Sequence, residues 1–289
     1  MTTLAIDIET YSPISLQDCG VYAYASHPEF EILLFGYAFD DGPVDVIDLT
    51  REEFPEDLKE AIYDPAILKT AFNASFERTC ISSYLARNTP PEQWSCTAVM
   101  ARELGLPSTL EQVGVVLGLP DDKQKSKTGR ALIRYFSVPC KPTKVNGGRT
   151  RNLPEHDPAR WNLYIEYNRQ DVEAERAIRK KLTHFPMTVK EQALWVHDQH
   201  INDRGVMVDL AFAEKAVELD HIIKERLLQQ AKNLTGLENP KSPAQLKDWI
   251  TKVSGYEVES LNKKSIPEIR EKVNNAEVNA MLDIRAGLS

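Results

Sequence analysis

The chain has 289 residues, 42% hydrophobic and 27% charged, with a formal net charge of −8 at pH 7. This is the composition of a globular protein with length for one large domain or two modest ones. No apolar run reaches membrane-spanning length, and the N-terminus MTTLAIDIET carries acid where a secretory signal carries base, so neither a membrane span nor a signal peptide is expected.

Residues 4–10 alternate apolar and polar with period two, which predicts a strand with Leu4, Ile6 and Ile8 on one face and Asp7 and Glu9 on the other. Two more strands are predicted at 31–39 and 44–49, joined by the turn Asp40-Asp41-Gly42-Pro43. A helix follows at 56–63 and a short buried strand at 66–72. Residues 73–87 then read as a turn leading into a helix. Ser108-x-x-Glu111 is a capping-box pattern ahead of a helix that Gly118 ends. Asp157-Pro158, an N-cap followed by proline at the first helical position, opens a long helix that stops before Pro186. Strands first, then strands alternating with helices, predict an α/β layered domain to about residue 185. Beyond Pro186 the chain turns helical. Thr188, Asp209 and Ser242 are expected N-caps, and Gly205, Gly236 and Gly255 expected stops. These helices show no obvious means of forming an independent core, and the chain ends at Ser289 directly after a helical pattern, so a piece of a longer protein is expected.

Cys19, Cys80, Cys96 and Cys140 form no CxxC pair and have no histidines at zinc spacing, so reduced thiols of a cytosolic protein are expected and zinc is not. Charge is unevenly spread. Residues 1–120 hold 6 Lys/Arg against 19 Asp/Glu, whereas residues 121–151 hold 9 against 2. An acidic body with one basic stretch fits an enzyme that holds divalent metal with carboxylates and a phosphate backbone with lysines. It also fits an acidic protein with one solvated loop. In the basic stretch, Lys123, Lys125, Lys127, Arg130 and Arg134 are interleaved with Leu132, Ile133, Tyr135 and Phe136. A loop running into a helix along a phosphate backbone would have this pattern.

Three short pieces carry chemistry. Asp7 and Glu9 stand two apart on a strand, so their carboxylates share a face and repel unless a cation lies between them; hard Mg²⁺ or Mn²⁺ suits such oxygens. Tyr167 and Asp171 stand four apart on the capped helix and project from one side of it. Asn73, Phe76 and Glu77 sit where an apolar strand ends and a helix begins, a common place for sites in α/β folds. Each piece alone is also met as ordinary surface acids, core aromatics or helix caps.

Taken in order, DIET, NASFE and YNRQD resemble the three motifs of the DEDD exonuclease superfamily. The tyrosine four residues before Asp171 is similar to its tyrosine-bearing branch, since the position a catalytic histidine would take is Glu166. That branch includes the proofreading domain of family A DNA polymerases and the ribonuclease D-type enzymes. The stretches EQALWVHDQHINDRGVMVDLAFAEKA and NPKSPAQLKDWI resemble the link between exonuclease and thumb in phage-type family A polymerases. The resemblance implies a ribonuclease H-like mixed sheet flanked by helices over residues 1–185, then a helical connector and the beginning of a thumb over 186–289. It implies two divalent cations, Mg²⁺ or Mn²⁺, held by Asp7, Glu9, Asp171 and, less directly, Glu77, which stands where the family usually has aspartate. Tyr167 is expected to orient a water, with substrate contacts from Thr10, Asn73, Phe76, Lys123, Lys125, Lys127 and Arg130. The expected partners are a single-stranded or frayed DNA 3′ end and the polymerase palm and fingers of the full-length chain, whose motifs are absent here. A ribonuclease D-like enzyme and a catalytically decayed DNA-binding module stay open as alternatives.

Overall fold

The computed structural model describes residues 2–120 and 129–288. The chain forms two compact units, Met1–Gly205 and Val206–Ser289.

The first unit is built on a five-stranded sheet of order β3-β2-β1-β4-β5. Its strands are β1 (Thr2–Tyr11), β2 (Glu31–Phe39), β3 (Asp45–Asp48), β4 (Ile67–Ala71) and β5 (Trp94–Cys96). β1 pairs antiparallel with β2 and parallel with β4, which pairs parallel with β5. The sheet is therefore mixed, with helices against both faces, and the expected ribonuclease H-like α/β fold is the observed one. Between these strands run α1 (Leu16–Ser26), α2 (Glu56–Tyr63) and α3 (Ala74–Tyr84). After β5 come α4 (Thr97–Glu103), α5 (Leu110–Val116), α6 (Gly129–Phe136), α7 (Pro158–Leu182) and α8 (Val189–Arg204).

Period two along β1 decides what each face buries. Leu4, Ile6 and Ile8 enter the main core with Ile32, Phe35, Leu58, Ile62, Ile81 and Trp94, so α2 and α3 cover that side. The opposite side is buried too. Ala5 packs with Ala38, Val44 and Val172 of α7, and Tyr11, Leu33 and Leu34 pack with Leu132 and Phe136 of α6 and with Trp161, Tyr164 and Tyr167 of α7. Asp7 and Glu9 thus lie under a helix.

Most helix ends follow their sequence signals. Asp157 accepts from the Arg160 amide, Thr188 from Glu191 and Ser242 from Gln245. Gly205, Gly236 and Gly255 close their helices with φ of 66°, 70° and 70°. One cap differs from expectation. Thr109, not Ser108, caps α5, accepting from the Gln112 amide, because the first turn starts at Leu110.

α8 folds with the first unit although it follows Pro186. Trp195 joins the main core. Arg78, 2% exposed, donates to Asp203 at 2.6 Å, and Tyr22 donates to the same carboxylate at 2.7 Å. The second unit comprises α9 (Leu210–Thr235), α10 (Pro243–Ser254), α11 (Ile266–Val273) and α12 (Ala276–Leu288). Contrary to the expectation that this segment lacks a core, Ala231, Leu246, Trp249, Ile250, Val258, Leu261, Ile269, Val278, Met281 and Leu282 form one. No described helix is long and apolar enough to cross a membrane.

Candidate active site

The site grows from a match of two repeats. Two residues of strand advance about 6.7 Å and four residues of helix about 6 Å, so a helix laid along a strand can meet every second strand residue with every fourth of its own. β1 and α7 do this with Ala5, Asp7 and Glu9 against Val172, Asn168 and Tyr164. Ala5 and Val172 share a small core. Asn168 Nδ2 donates to Asp7 Oδ2 at 2.8 Å and to the Asp7 carbonyl at 3.1 Å. The Tyr164 hydroxyl donates to Glu9 Oε2 at 2.6 Å. Asn168 and Tyr164 are both fully buried.

Tyr167 and Asp171 each precede one of these contact residues and so project to the side of the seam. There they meet the strand's acids: ligand atoms of Asp7, Glu9 and Asp171 all lie within 4.8 Å of one another, with Glu9 and Asp171 buried. The β1–β2 register shifts between Glu9 and Thr10, just past the second acid. Such irregularities re-aim side chains beside functional sites. A cleft of about 690 Å³ opens over the cluster, lined by Asp7, Glu9, Thr10, Tyr24, Phe76, Ile133, Val138, Pro139, Tyr167 and Asp171 among others. Among the described residues, no lysine or arginine lines it. Three converging carboxylates, with no cationic side chain among the described lining residues, make an all-oxygen donor set that fits a hard divalent metal.

Tyr167 is 2% exposed, and its ring stacks on that of Tyr164 with centroids 6.1 Å apart. Burial, followed by the charges of Asp171, Glu9 and Asp7, pushes its hydroxyl well above the usual phenol range, so it stays protonated at neutral pH. Tyr164 is raised by burial and by Glu9 in the same way. Gly129, the first residue of α6, lies close against the same ring. A Cβ there would overlap Tyr167 Cε2 and stand 2.5 Å from its Cζ. Gly36 has the same role behind Asn168. It faces Asp7 across the β1–β2 pair, and a Cβ on it would stand 2.5 Å from Asn168 Oδ1.

The remaining residues expected at the site are placed variously. Thr10 shares a 3.0 Å hydrogen bond with the Tyr24 hydroxyl, and burial raises that phenol to about 12. Phe76 lines the cleft 6.4 Å, centroid to centroid, from Tyr24. Glu77 lies buried in the first turn of α3, outside the three-carboxylate group. Asn73 is the exposed N-cap residue of α3 and is not a lining residue. Arg130 is exposed, with its guanidinium 3.7 Å from Glu111. Lys123, Lys125 and Lys127 fall outside the described residues. Tyr164, Gly36 and Gly129 lie outside the motifs, Asn168 lies inside the third, and none of the four had an expected role. The four-residue spacing of Tyr164, Asn168 and Val172, read against the two-residue spacing of Ala5, Asp7 and Glu9, is the sequence signal that points to the first two.

No protein-family model matches the chain. The DNA polymerase of Bacillus phage SP02 is 49% identical over 286 residues, which make up 99% of this chain and 44% of that protein. The chain therefore spans a little under half the length of the curated relative it matches. Among solved structures, the POL domain of Pol1 from M. smegmatis, in complex with DNA primer-template and dNTP, matches with a TM-score of 0.54 at 14% identity, over 99% of this chain and 44% of that one. Its likeness shows the fold. Brucella melitensis NrnC matches at a TM-score of 0.45 and 14% identity, over 70% of this chain and 86% of that one. Over nearly its whole length the chain is thus related to the DNA polymerase of that phage, and it shares the fold of the Pol1 structure.

Proposed function

We propose that this chain is a metal-dependent 3′→5′ exonuclease that hydrolyses the terminal phosphodiester of a DNA strand and releases nucleoside 5′-monophosphates. In this reading it is the proofreading part of a family A polymerase, residues 1–185 form the exonuclease domain, and the helices after them lead toward the polymerase thumb. Palm and fingers of the same polymerase are its partner. The observation that carries the reading is the convergence of Asp7, Glu9 and Asp171 beside Tyr167 on the floor of a cleft.

Asp7, Glu9 and Asp171 would hold the divalent ions, with Glu77 contributing at longer range. When bound, such ions neutralise charge on the phosphate and make water easier to deprotonate. The chain's own residues supply the geometry. The Tyr167 hydroxyl, kept protonated by burial and by the acids around it, orients the attacking water by its hydrogen bond. Water oxygen gives up a proton to solvent and bonds to phosphorus, the bond to the 3′-oxygen of the penultimate nucleotide breaks, and that oxygen takes up a proton. The apolar walls, Phe76 and Ile133 among them, receive the terminal nucleotide.

The test is hydrolysis of a 3′-labelled single-stranded DNA with Mg²⁺ or Mn²⁺. The expected outcome is metal-dependent release of the labelled monophosphate, falling about 10²- to 10³-fold in Asp171→Asn and in Asp7→Ala. No release from the folded protein with either metal overturns the reading. An RNA oligomer of the same sequence decides against the ribonuclease D-like alternative if DNA is the better substrate. The phage DNA polymerase relative favours that result.

A further inference from the structure

Residues 138–152 join α6 to the approach of α7 and contain Lys141, Lys144, Arg149 and Arg151 with no acidic residue. The segment is exposed over most of its length but has a built shape. Asn146 is its pin: its Oδ1 accepts from the amides of Thr143 at 2.8 Å and Gly148 at 3.1 Å. Its Nδ2 donates to the carbonyls of Lys141 at 2.9 Å and Arg149 at 3.2 Å. Gly147 and Gly148, with φ of 68° and 79°, supply the left-handed turn that closes it. The Cys140 amide donates to the Thr150 carbonyl at 2.7 Å, which zips the loop's base.

Both feet of this loop stand at the cleft. Val138 and Pro139 line it on one side. On the other, the Arg151 guanidinium lies 3.8 Å from the ring centroid of Tyr11, between the lining residues Thr10 and Ser12, and pairs with Glu31 at 2.5 Å. Arg149 is also engaged, with Nε donating to Asn152 at 2.8 Å and Nη1 to the Asn146 carbonyl at 3.1 Å. Lys141 and Lys144 differ: both are exposed, and neither has an ion-pair partner among the described residues. Val145 stands between Lys144 and the pin, 99% exposed.

The geometry points to this loop as a guide for a single DNA strand, with Lys141 and Lys144 meeting the phosphate backbone of the nucleotides that lie outside the cleft. The guide rests on the exonuclease reading for the strand's direction, because the strand's 3′ end is the part that enters the cleft. Charge supplies the attraction, and the prefixed shape removes much of the ordering cost that a floppy basic loop would carry. Val145 offers an apolar contact to unstacked bases, which a duplex does not present.

Binding of oligo(dT) of increasing length, read by fluorescence anisotropy in EDTA, tests the guide without hydrolysis. The wild type gains affinity as the strand grows past the few nucleotides that the cleft holds. In Lys141→Gln/Lys144→Gln that gain shrinks, the longest strand binds about tenfold more weakly, and the slope of log K against log salt falls by about 1.4, two single-strand contacts at about 0.7 each. Asn146→Ala, which keeps every charge, weakens long-strand binding in the same direction by loosening the loop. An unchanged salt slope and unchanged length dependence in the double variant overturn the guide, even where the chain digests DNA. Normal strand binding through the loop in a chain that hydrolyses nothing overturns the exonuclease reading instead and leaves the guide standing.

Discussion

The two faces of β1 are built on different physics. One carries Leu4, Ile6 and Ile8 into a shared apolar core, where contacts are many, weak and non-directional. The other meets α7 residue by residue, and two of its three contacts are hydrogen bonds to carboxylates, Asn168 to Asp7 and Tyr164 to Glu9. Such charge-assisted bonds are short and directional, so they fix where an oxygen points. The difference teaches that one strand can divide its work, with alternate residues supplying stability and geometry. Damage to one face should therefore register in a different observable from damage to the other.

The largest expected effect lies on the apolar face. Ile6→Ala removes a fully buried side chain from the centre of the core and should cost about 2–5 kcal/mol of unfolding free energy, read by urea denaturation. Below its unfolding midpoint the variant should keep most of the proposed nuclease activity. A collapse of activity in fully folded protein would show that the two faces are not separable.

Gly129→Ala sharpens the comparison from the polar side. The new methyl overlaps the Tyr167 ring, which must move by a distance comparable with the overlap. If Tyr167 orients the attacking water as proposed, displacing it by about 1 Å should cost about 10²-fold in kcat. Stability should change far less than in Ile6→Ala, because α6 still packs through Leu132 and Phe136. Wild-type kcat in Gly129→Ala would remove Tyr167 from the mechanism.

Much of this was legible before folding, for reasons that differ by residue. Asp7 and Glu9 were placed on one face because strand periodicity is local, and Tyr167 and Asp171 on one side because helix periodicity is local too. Caps such as Asp157 and Ser242 are likewise local chemistry. The adjacent hydroxyls of Ser108 and Thr109 were not separable, since the choice depends on which residue starts the first turn. α1 was missed because Gly20, at φ 75°, interrupts it and Ser15 makes no side-chain cap. β5 was missed because three fully buried residues show no period. The core of the second unit escaped for a longer-range reason. Helices α9 to α12 each bury only one to three residues, and those residues meet only after all four helices assemble. Asn168 and Tyr164 escaped in the same way, as their roles exist only once α7 lies along β1.

The finest test of the comparison is therefore Asn168→Ala. The substitution leaves every ligand atom of the three-carboxylate group in the chain but removes the amide that holds Asp7 Oδ2 and the Asp7 carbonyl. Groups that hydrogen-bond a metal ligand, as Asn168 would in the proposed site, typically change metal affinity by about 10- to 100-fold. Mn²⁺ binding, measured by titration calorimetry without substrate, should weaken within that range, and the metal concentration that half-activates hydrolysis should rise with it. Saturating metal should then recover most of kcat, because the ligands themselves remain. A purely structural role for Asn168 would give the opposite pattern: a lower unfolding midpoint with unchanged metal affinity. That result would place Asn168 with Ile6 as a packing residue and leave Asp7 to be aimed by its own strand.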